Sequence, residues 1–532
     1  MTTTVAVQPA PGRVLAALAA RQIRRGALVV TGLCAGMSAL VVAMYHSQGL
    51  DPAALAVLAH NPAIRTLFGE PVALDDPGGF TVWRTGTALA VLLGVWALLA
   101  ATRITRGEEG AGRWNLLLSG RATLPDAVRS HLAVLTVVPV AAGGATAIAM
   151  IAAGAQVTGS LLHGIGLATT GAIFVAIGGF TGQLFATRSA ANGAAAAVLL
   201  TTLIARMIGD GVAALAWLRW LSPFGLVALT HPFDTDRWLP VSALALATMV
   251  VLLVTDRLAA RRDVGGAVII AAGDRPAHTT LLGSVTAFAL RRTLRPLAGW
   301  ATGIGAYFLL IGLIARSMTD FLTANPQFAQ MAAQAGFTLG TVEGYAATLF
   351  ALLAIPVGVF VAVRAAAFAA DENTRRLTPL LAAPITRTRL LAAESAVTIG
   401  AALVLITVSG IAAWTGATLV GAGLDLGDAL AGAVNVTPVV LLCLGFAVLA
   451  LGWLPRAVAA LGVLPAAGGF LWLVIADSTG APAWIGNLSP FAHLAAVPAT
   501  TANWPATIVM TATAASVAGV GAAGYRRRDL HA

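Results

Sequence analysis

The sequence predicts an all-α polytopic membrane protein with twelve transmembrane helices, built as two parallel six-helix repeats. Three observations predict it: an apolar composition, a dozen nearly uncharged runs of span length, and residue matches at almost constant offset between the two halves. Of the 532 residues, 58% are hydrophobic and only 10% charged, and the mean hydropathy is +0.86. A soluble chain of this size needs far more charge to cover its surface. Runs of about 20 apolar residues cross a bilayer core as helices. The runs are continuous rather than alternating, which argues against a β-barrel.

The spans are expected at roughly 26–45, 82–102, 130–156, 163–187, 190–209, 239–256, 297–315, 345–369, 391–418, 431–454, 457–476 and 505–524. The first run is too long for a signal-peptide core, so it is read as a span. Cys34 and Cys443 both fall inside apolar runs and read as small buried side chains, not as a metal or disulfide framework. The net charge of +10 comes entirely from arginine. With both termini in the cytoplasm, 26 of the 32 basic residues flank spans on the inner side, whereas twelve of the 22 acids lie outside. This bias fixes the orientation, and it explains the basic balance better than a nucleic-acid partner does. The chain has no lysine. A P-loop needs one to reach the β- and γ-phosphates, so that motif is excluded.

The matches come in order. Asn61-Pro62 pairs with Asn325-Pro326, Glu108-Glu109 with Asp371-Glu372, and Arg188 with Arg456. Asp210, Trp217 and Leu221-Ser222-Pro223-Phe224 pair with Asp477, Trp484 and Leu488-Ser489-Pro490-Phe491, and Arg261-Arg262-Asp263 with Arg527-Arg528-Asp529. Six spans return the chain to its starting side, so both halves insert alike, related by an axis along the membrane normal. The expected organisation is a first half over 1–264, a cytoplasmic linker over 265–280 and a second half over 281–532, with a pathway between the halves. Residues 12–25 and 283–295 each suit a helix lying in the inner interface, arginines towards anionic headgroups. They also read simply as the positive flank of the next span.

The acidic pairs open two charged stretches between spans 2 and 3 and between spans 8 and 9. In the first, Glu108 and Glu109 suit a helix start, Arg113 follows Glu109 at i+4, and Leu116, Leu117 and Leu118 form an apolar knob. In the second, Asp371 can cap a helix, Glu372 and Arg376 repeat the i,i+4 spacing, and Leu380-Leu381 is the knob. A topology signal would need the arginines alone. A charged face with a knob, present twice, suits a partner present twice.

Asp210 and Asp477 end spans 5 and 11, each followed by a Trp and then Leu-Ser-Pro-Phe. The proline breaks the helix, and irregular backbone at membrane depth must be buried or line a wet cavity. Each segment therefore reads as a re-entrant piece, with an ordinary surface loop as the alternative. Arg206 and Asp210 are spaced to pair. Asp477 has Leu473 at that spacing and is expected to face water or a cationic group.

The interfacial helix, six spans, charged element between spans 2 and 3 and broken segment before span 6 resemble the permease half of a type-2 ABC exporter. The fused form, with its Asn-Pro loop, acid-Arg-Leu element and Leu-Ser-Pro-Phe stretch, is similar to actinobacterial polyketide-antibiotic exporter permeases of the tetronasin type. The resemblance implies a bacterial plasma-membrane subunit that moves hydrophobic or amphipathic compounds outward. It implies two copies of a separate ABC ATPase holding ATP and Mg, with no cofactor and no ATPase site in this chain. Glu108, Glu109, Arg113 and Leu117, with Asp371, Glu372, Arg376 and Leu381, would couple to that ATPase. Ser222, Pro223, Phe224, Ser489, Pro490 and Phe491 would close the outer gate. Gly110-Ala111-Gly112 stands opposite Asn373-Thr374-Arg375, so the two ATPase contacts are expected to be unequal. An ion-coupled twelve-span transporter needs titratable groups near the midplane, where these spans place almost none. A lipid-modifying enzyme needs clustered catalytic groups, which the sequence lacks.

Overall fold

The computed structural model describes residues 11–48, 65–66, 69–269, 280–326, 341–373, 376–377, 380, 384–478 and 481–528. Asn61-Pro62 lies outside them. Among the described residues all regular structure is helical, and twelve helices are long and apolar enough to cross a membrane. They are α1 (Gly12–Tyr45), α2 (Pro77–Gly110), α3 (Leu124–Ala152), α4 (Val157–Leu184), α5 (Arg188–Gly211), α6 (Leu239–Ala260), α7 (Val285–Ala324), α8 (Val342–Asn373), α9 (Arg387–Leu419), α10 (Leu426–Trp453), α11 (Pro455–Leu473) and α12 (Trp504–Arg527). The protein is a multi-pass α-helical membrane protein. Large apolar side chains such as Leu28, Ile148, Leu246 and Val509 point outward, as a bilayer-facing surface requires.

The chain divides into two compact units, Met1–Arg275 and Pro276–Ala532, each holding six of these helices. In the first unit α4 is the hub, packed on α2, α3 and α6, while α1 lies along α3. In the second, α10 packs on α8 and α12, and α7 pairs with α9. Small residues make these crossings close. A Cβ on Gly143 would sit 2.1 Å from the Gly164 carbonyl oxygen, and one on Gly164 2.5 Å from that of Gly143. In the second unit Gly312 and Gly416 interlock in the same way between α7 and α9.

The stretches expected as interfacial helices are not separate elements. Residues 11–25 continue into the first span as one helix, Pro11–Gln48, and α7 runs 40 residues through Pro296. At 1.5 Å per residue α7 is about 60 Å long, roughly twice the bilayer core. Nothing in the sequence stops either helix: a proline removes one donor, and flanking alanines and leucines favour continuation. Ala19 and Ile23 are buried in α1, as are Ala289 and Thr293 in α7, the same face 270 residues apart.

Candidate functional site: the paired acids that end α2 and α8

The acids do not start a new helix. α2 passes through a five-residue π-turn, Arg103–Gly107, and closes on Glu108–Gly110. Gly112 at φ +73 turns the chain, and a short helix, Arg113–Leu117, follows. Asp371 and Glu372 likewise lie in the last turn of α8. A helix C-terminus carries partial negative charge and disfavours acids, so each carboxylate has to recruit cations or donors.

The first acid of each pair reaches the same two places. Glu108 accepts two hydrogen bonds from Arg113, at 2.5 and 2.6 Å, and one from Gln22 of α1 at 3.4 Å. Asp371 pairs with Arg376 at 3.7 Å and with Arg292 of α7. The arginine sits five residues after its partner acid in both units, not four after the second acid, because the chain turns before it. Glu108 also holds the exposed Arg113 guanidinium above its ordinary pKa, mainly through the hydrogen bond.

The second acid points inward to the far end of the unit's sixth helix. Glu109 accepts from Arg262 at 2.6 and 2.8 Å and from the Gly265 backbone N–H at 2.7 Å, and lies 3.2 Å from Arg106. Its side chain is 1% exposed. Arg106 donates onward to the Gly182 and Gly266 carbonyls, and Arg262 to Gln183 Oε1. Glu372 accepts from Arg528 at 2.5 Å, and Arg528 also donates to the Leu451 carbonyl. The acidic doublet is thus a bracket: one acid ties the segment to the first helix of its unit, the other to the end of the sixth.

Trp114, fully buried against His131 at 5.5 Å between ring centroids, pins the short helix in the first unit. Leu377, 263 residues on, is buried in the second. Leu116 is left 80% exposed, and Leu117 and Leu380 are half-buried. Leu381 lies outside the described residues, as do Thr374 and Arg375. Arg262, Arg292 and Arg528 did not stand out as site residues in the sequence, where they counted towards topology and, for Arg262 and Arg528, towards the repeat. The repeated Arg-Arg-Asp after spans 6 and 12 was the signal that could have found two of them.

The units differ beside this bracket. In the second, Glu394 is buried between Arg292 and Arg364, although the start of a span suggests an interfacial place. The first unit has His131 at the corresponding position, its Nδ1 2.7 Å from the Ala127 carbonyl, and Ala101 where the second has Arg364.

At the other end of α2, Arg206 and Asp210 form the expected i,i+4 pair at 2.5 Å, buried. Arg219 bonds Glu70 at 2.8 Å, and Arg65 pairs with Glu70 at 3.1 Å. Ser222 caps the helix Pro223–Ala228, and Phe224 packs against Phe174. Ser489 caps Pro490–His493 and donates to the Gly469 carbonyl, with Phe491 against Phe470. Trp217 and Trp484 are exposed. The Asp477 side chain lies outside the described residues. His163, whose sequence position suggests a hydrogen-bonded packing role, is buried with neither ring nitrogen bonded to a described residue.

Residues 282–526 match the family described as "Multidrug efflux system permease Rv1217c, C-terminal domain". The chain is similar to the multidrug efflux system permease protein Rv1217c of Mycobacterium tuberculosis (strain ATCC 25618 / H37Rv), 30% identical over 500 residues that make up 92% of this chain and 89% of the relative. With that coverage, and with twelve membrane-length helices in two six-helix units, the chain belongs to the family of multidrug efflux system permeases.

Proposed function

We propose that this permease is the membrane subunit of an ATP-driven exporter, powered by a separate ABC ATPase present in two copies that hold ATP and Mg. The observation that supports this best is the wiring of the acidic doublet, repeated in both units around a segment that leaves Leu116 bare. A bracket tied to the first and sixth helices of a unit passes a push on the segment directly into that unit. Glu108, Arg113 and Leu117, with Asp371, Arg376 and Leu381, carry the contact with the partner in this reading. Glu109 and Glu372 hold the segment in place behind them. The arginine bias puts this end, and both termini, in the cytoplasm, within a bacterial plasma membrane.

The cargo is a hydrophobic or amphipathic compound of the antibiotic or drug kind, in keeping with the relative's name, and polyketide ionophores of the tetronasin type are the narrower candidates. The segments around Asp210, Ser222, Pro223 and Phe224, and around Asp477, Ser489, Pro490 and Phe491, form the outer gate. The test is co-expression with an ABC ATPase from a neighbouring reading frame. Leu116→Asp should leave the chain folded but remove the ATPase from the purified complex and abolish drug export. Undiminished co-purification and export from the combination of Leu116→Asp and Arg376→Asp would sink the docking assignment.

A further inference from the structure

The first unit holds a cavity of about 60 Å³ at the end of α2 remote from Glu108. That is room for roughly four to six waters, or for one ring bearing a small head group. Val82, Trp83, Phe224 and Val227 supply apolar walls, and His163, Arg206, Thr87 and Glu70 supply polar ones, the Glu70 carboxylate being paired with Arg219 and Arg65. Three features set it apart from a packing defect. The α2 wall is a π-turn, Val82–Gly86, a helix irregularity frequent at functional sites. His163 is 1% exposed, and both its ring nitrogens lack a hydrogen-bond partner among the described residues, which a native fold seldom leaves unexplained. Arg206 belongs to an alternating chain of charges, Arg65–Glu70–Arg219–Asp210–Arg206.

Along that chain three guanidiniums stand against two carboxylates. Gly69, at φ +99, leaves space for the Arg206 head: a Cβ there would lie 1.9 Å from Nη2. His231 on the rim adds no charge near neutrality, because burial lowers its pKa from 6.5. The site therefore has an apolar body, one buried hydrogen-bonding group in search of a partner, and a guanidinium from a charge chain in which arginines outnumber carboxylates by one. The second unit does not repeat it, since Leu473 stands at the position matching Arg206.

We propose that this cavity binds one small apolar acid, its ring between Trp83 and Phe224 and its carboxylate between His163 and Arg206. The proposal does not rest on the transport reading, because binding is read without ATPase or ATP. The probe is 4-(trifluoromethyl)benzoate, followed by ¹⁹F NMR on the purified full chain in detergent, with empty micelles as the blank. The amide and the benzylamine of the same ring serve as comparators. Saturable broadening is expected for the acid, with binding at least tenfold weaker for the amide and the amine. His163→Phe should weaken the acid at least tenfold, and His163→Gln, which restores a donor, should stay within about threefold. Val82→Phe, which fills the space from the α2 side, should abolish binding and keeps the test open if His163→Phe does not fold. No saturable binding of the acid, equal binding of the amide, or unchanged binding in Val82→Phe would each overturn the proposal.

Discussion

Arg262 and Glu109 meet through two hydrogen bonds, 2.6 and 2.8 Å long, where the end of α6 folds back onto the end of α2. Arg528 and Glu372 make the corresponding contact in the second unit. Glu109 sits among Arg106, Arg262 and a backbone N–H, so its charge is fully compensated. Glu372 keeps one oxygen, Oε2, buried with no hydrogen-bond partner among the described residues.

Removing one member of such a buried pair leaves an uncompensated charge, at a cost of about 3–5 kcal/mol. Glu109→Ala and Arg262→Ala should each lower the thermal midpoint of the detergent-purified chain markedly. The double variant should lose less than the sum, because the second change removes the orphaned charge. Strict additivity in that cycle would show that the two side chains are not coupled.

Arg113 should behave in the opposite way. Its side chain is 60% exposed, and solvent-exposed ion pairs contribute about 0–1 kcal/mol. Arg113→Ala should leave the melting midpoint nearly unchanged while weakening co-purification of the proposed ATPase partner, whereas Glu394→Gln, between Arg292 and Arg364 in the interior, should lower the midpoint. Equal destabilisation by both would contradict the burial that separates them.

The pattern of apolar runs located all twelve helices, though α1 begins 14 residues and α7 12 residues before the expected spans, because long apolar runs in a bilayer leave the backbone little choice but a helix. It missed where they stop. Glu108 and Asp371 look like helix starts because acids favour that end. In the folded unit distant arginines, Arg262 at 153 residues from Glu109 and Arg528 at 156 from Glu372, help neutralise the doublet and let the preceding helix run on. A local rule cannot see a partner that far along the chain. The repeat, by contrast, was legible from offsets alone, and the structure gives those offsets meaning: Thr123 and Thr386, 263 apart, both cap the third helix of their unit. The His163 cavity was not legible, since a lone histidine in an apolar run gives no sign of what surrounds it.

Gly416 and Gly400 lie on the same helix and predict opposite outcomes for one substitution. A Cβ at 416 would meet the Leu309 carbonyl oxygen at 2.3 Å, the Leu313 nitrogen at 2.7 Å and the Gly312 Cα at 2.9 Å, all backbone of α7. Gly416→Ala must push α7 and α9 apart, an overpacking cost of about 1–3 kcal/mol. At 400 nothing lies within 4 Å, so Gly400→Ala should leave stability unchanged or raise it by up to about 1 kcal/mol through helix propensity. Melting of the two variants side by side checks the pair. A tolerated Gly416→Ala would mean that this crossing is looser than drawn.

His231 gives the first unit a predictable response to acid. It lies in the loop between α5 and α6, where burial lowers its pKa from 6.5 with a smaller lowering from Arg237 and Arg219, opposed by Glu70 and Asp234. Above pH 6.5 the ring is neutral in both folded and unfolded chains, and stability does not depend on it. Below pH 6.5 the unfolded chain takes up the proton first, so stability falls with pH until the folded state is protonated too. The backbone at 231 is left-handed, φ +44, a region asparagine tolerates better than most residues. His231→Asn should therefore keep the turn and remove the histidine's share of the acid sensitivity. Between pH 7.5 and pH 5 its melting midpoint should fall less than that of the parent chain, with the carboxylate contributions common to both. A fall as large or larger in the variant would show that His231 is protonated as easily in the fold as out of it.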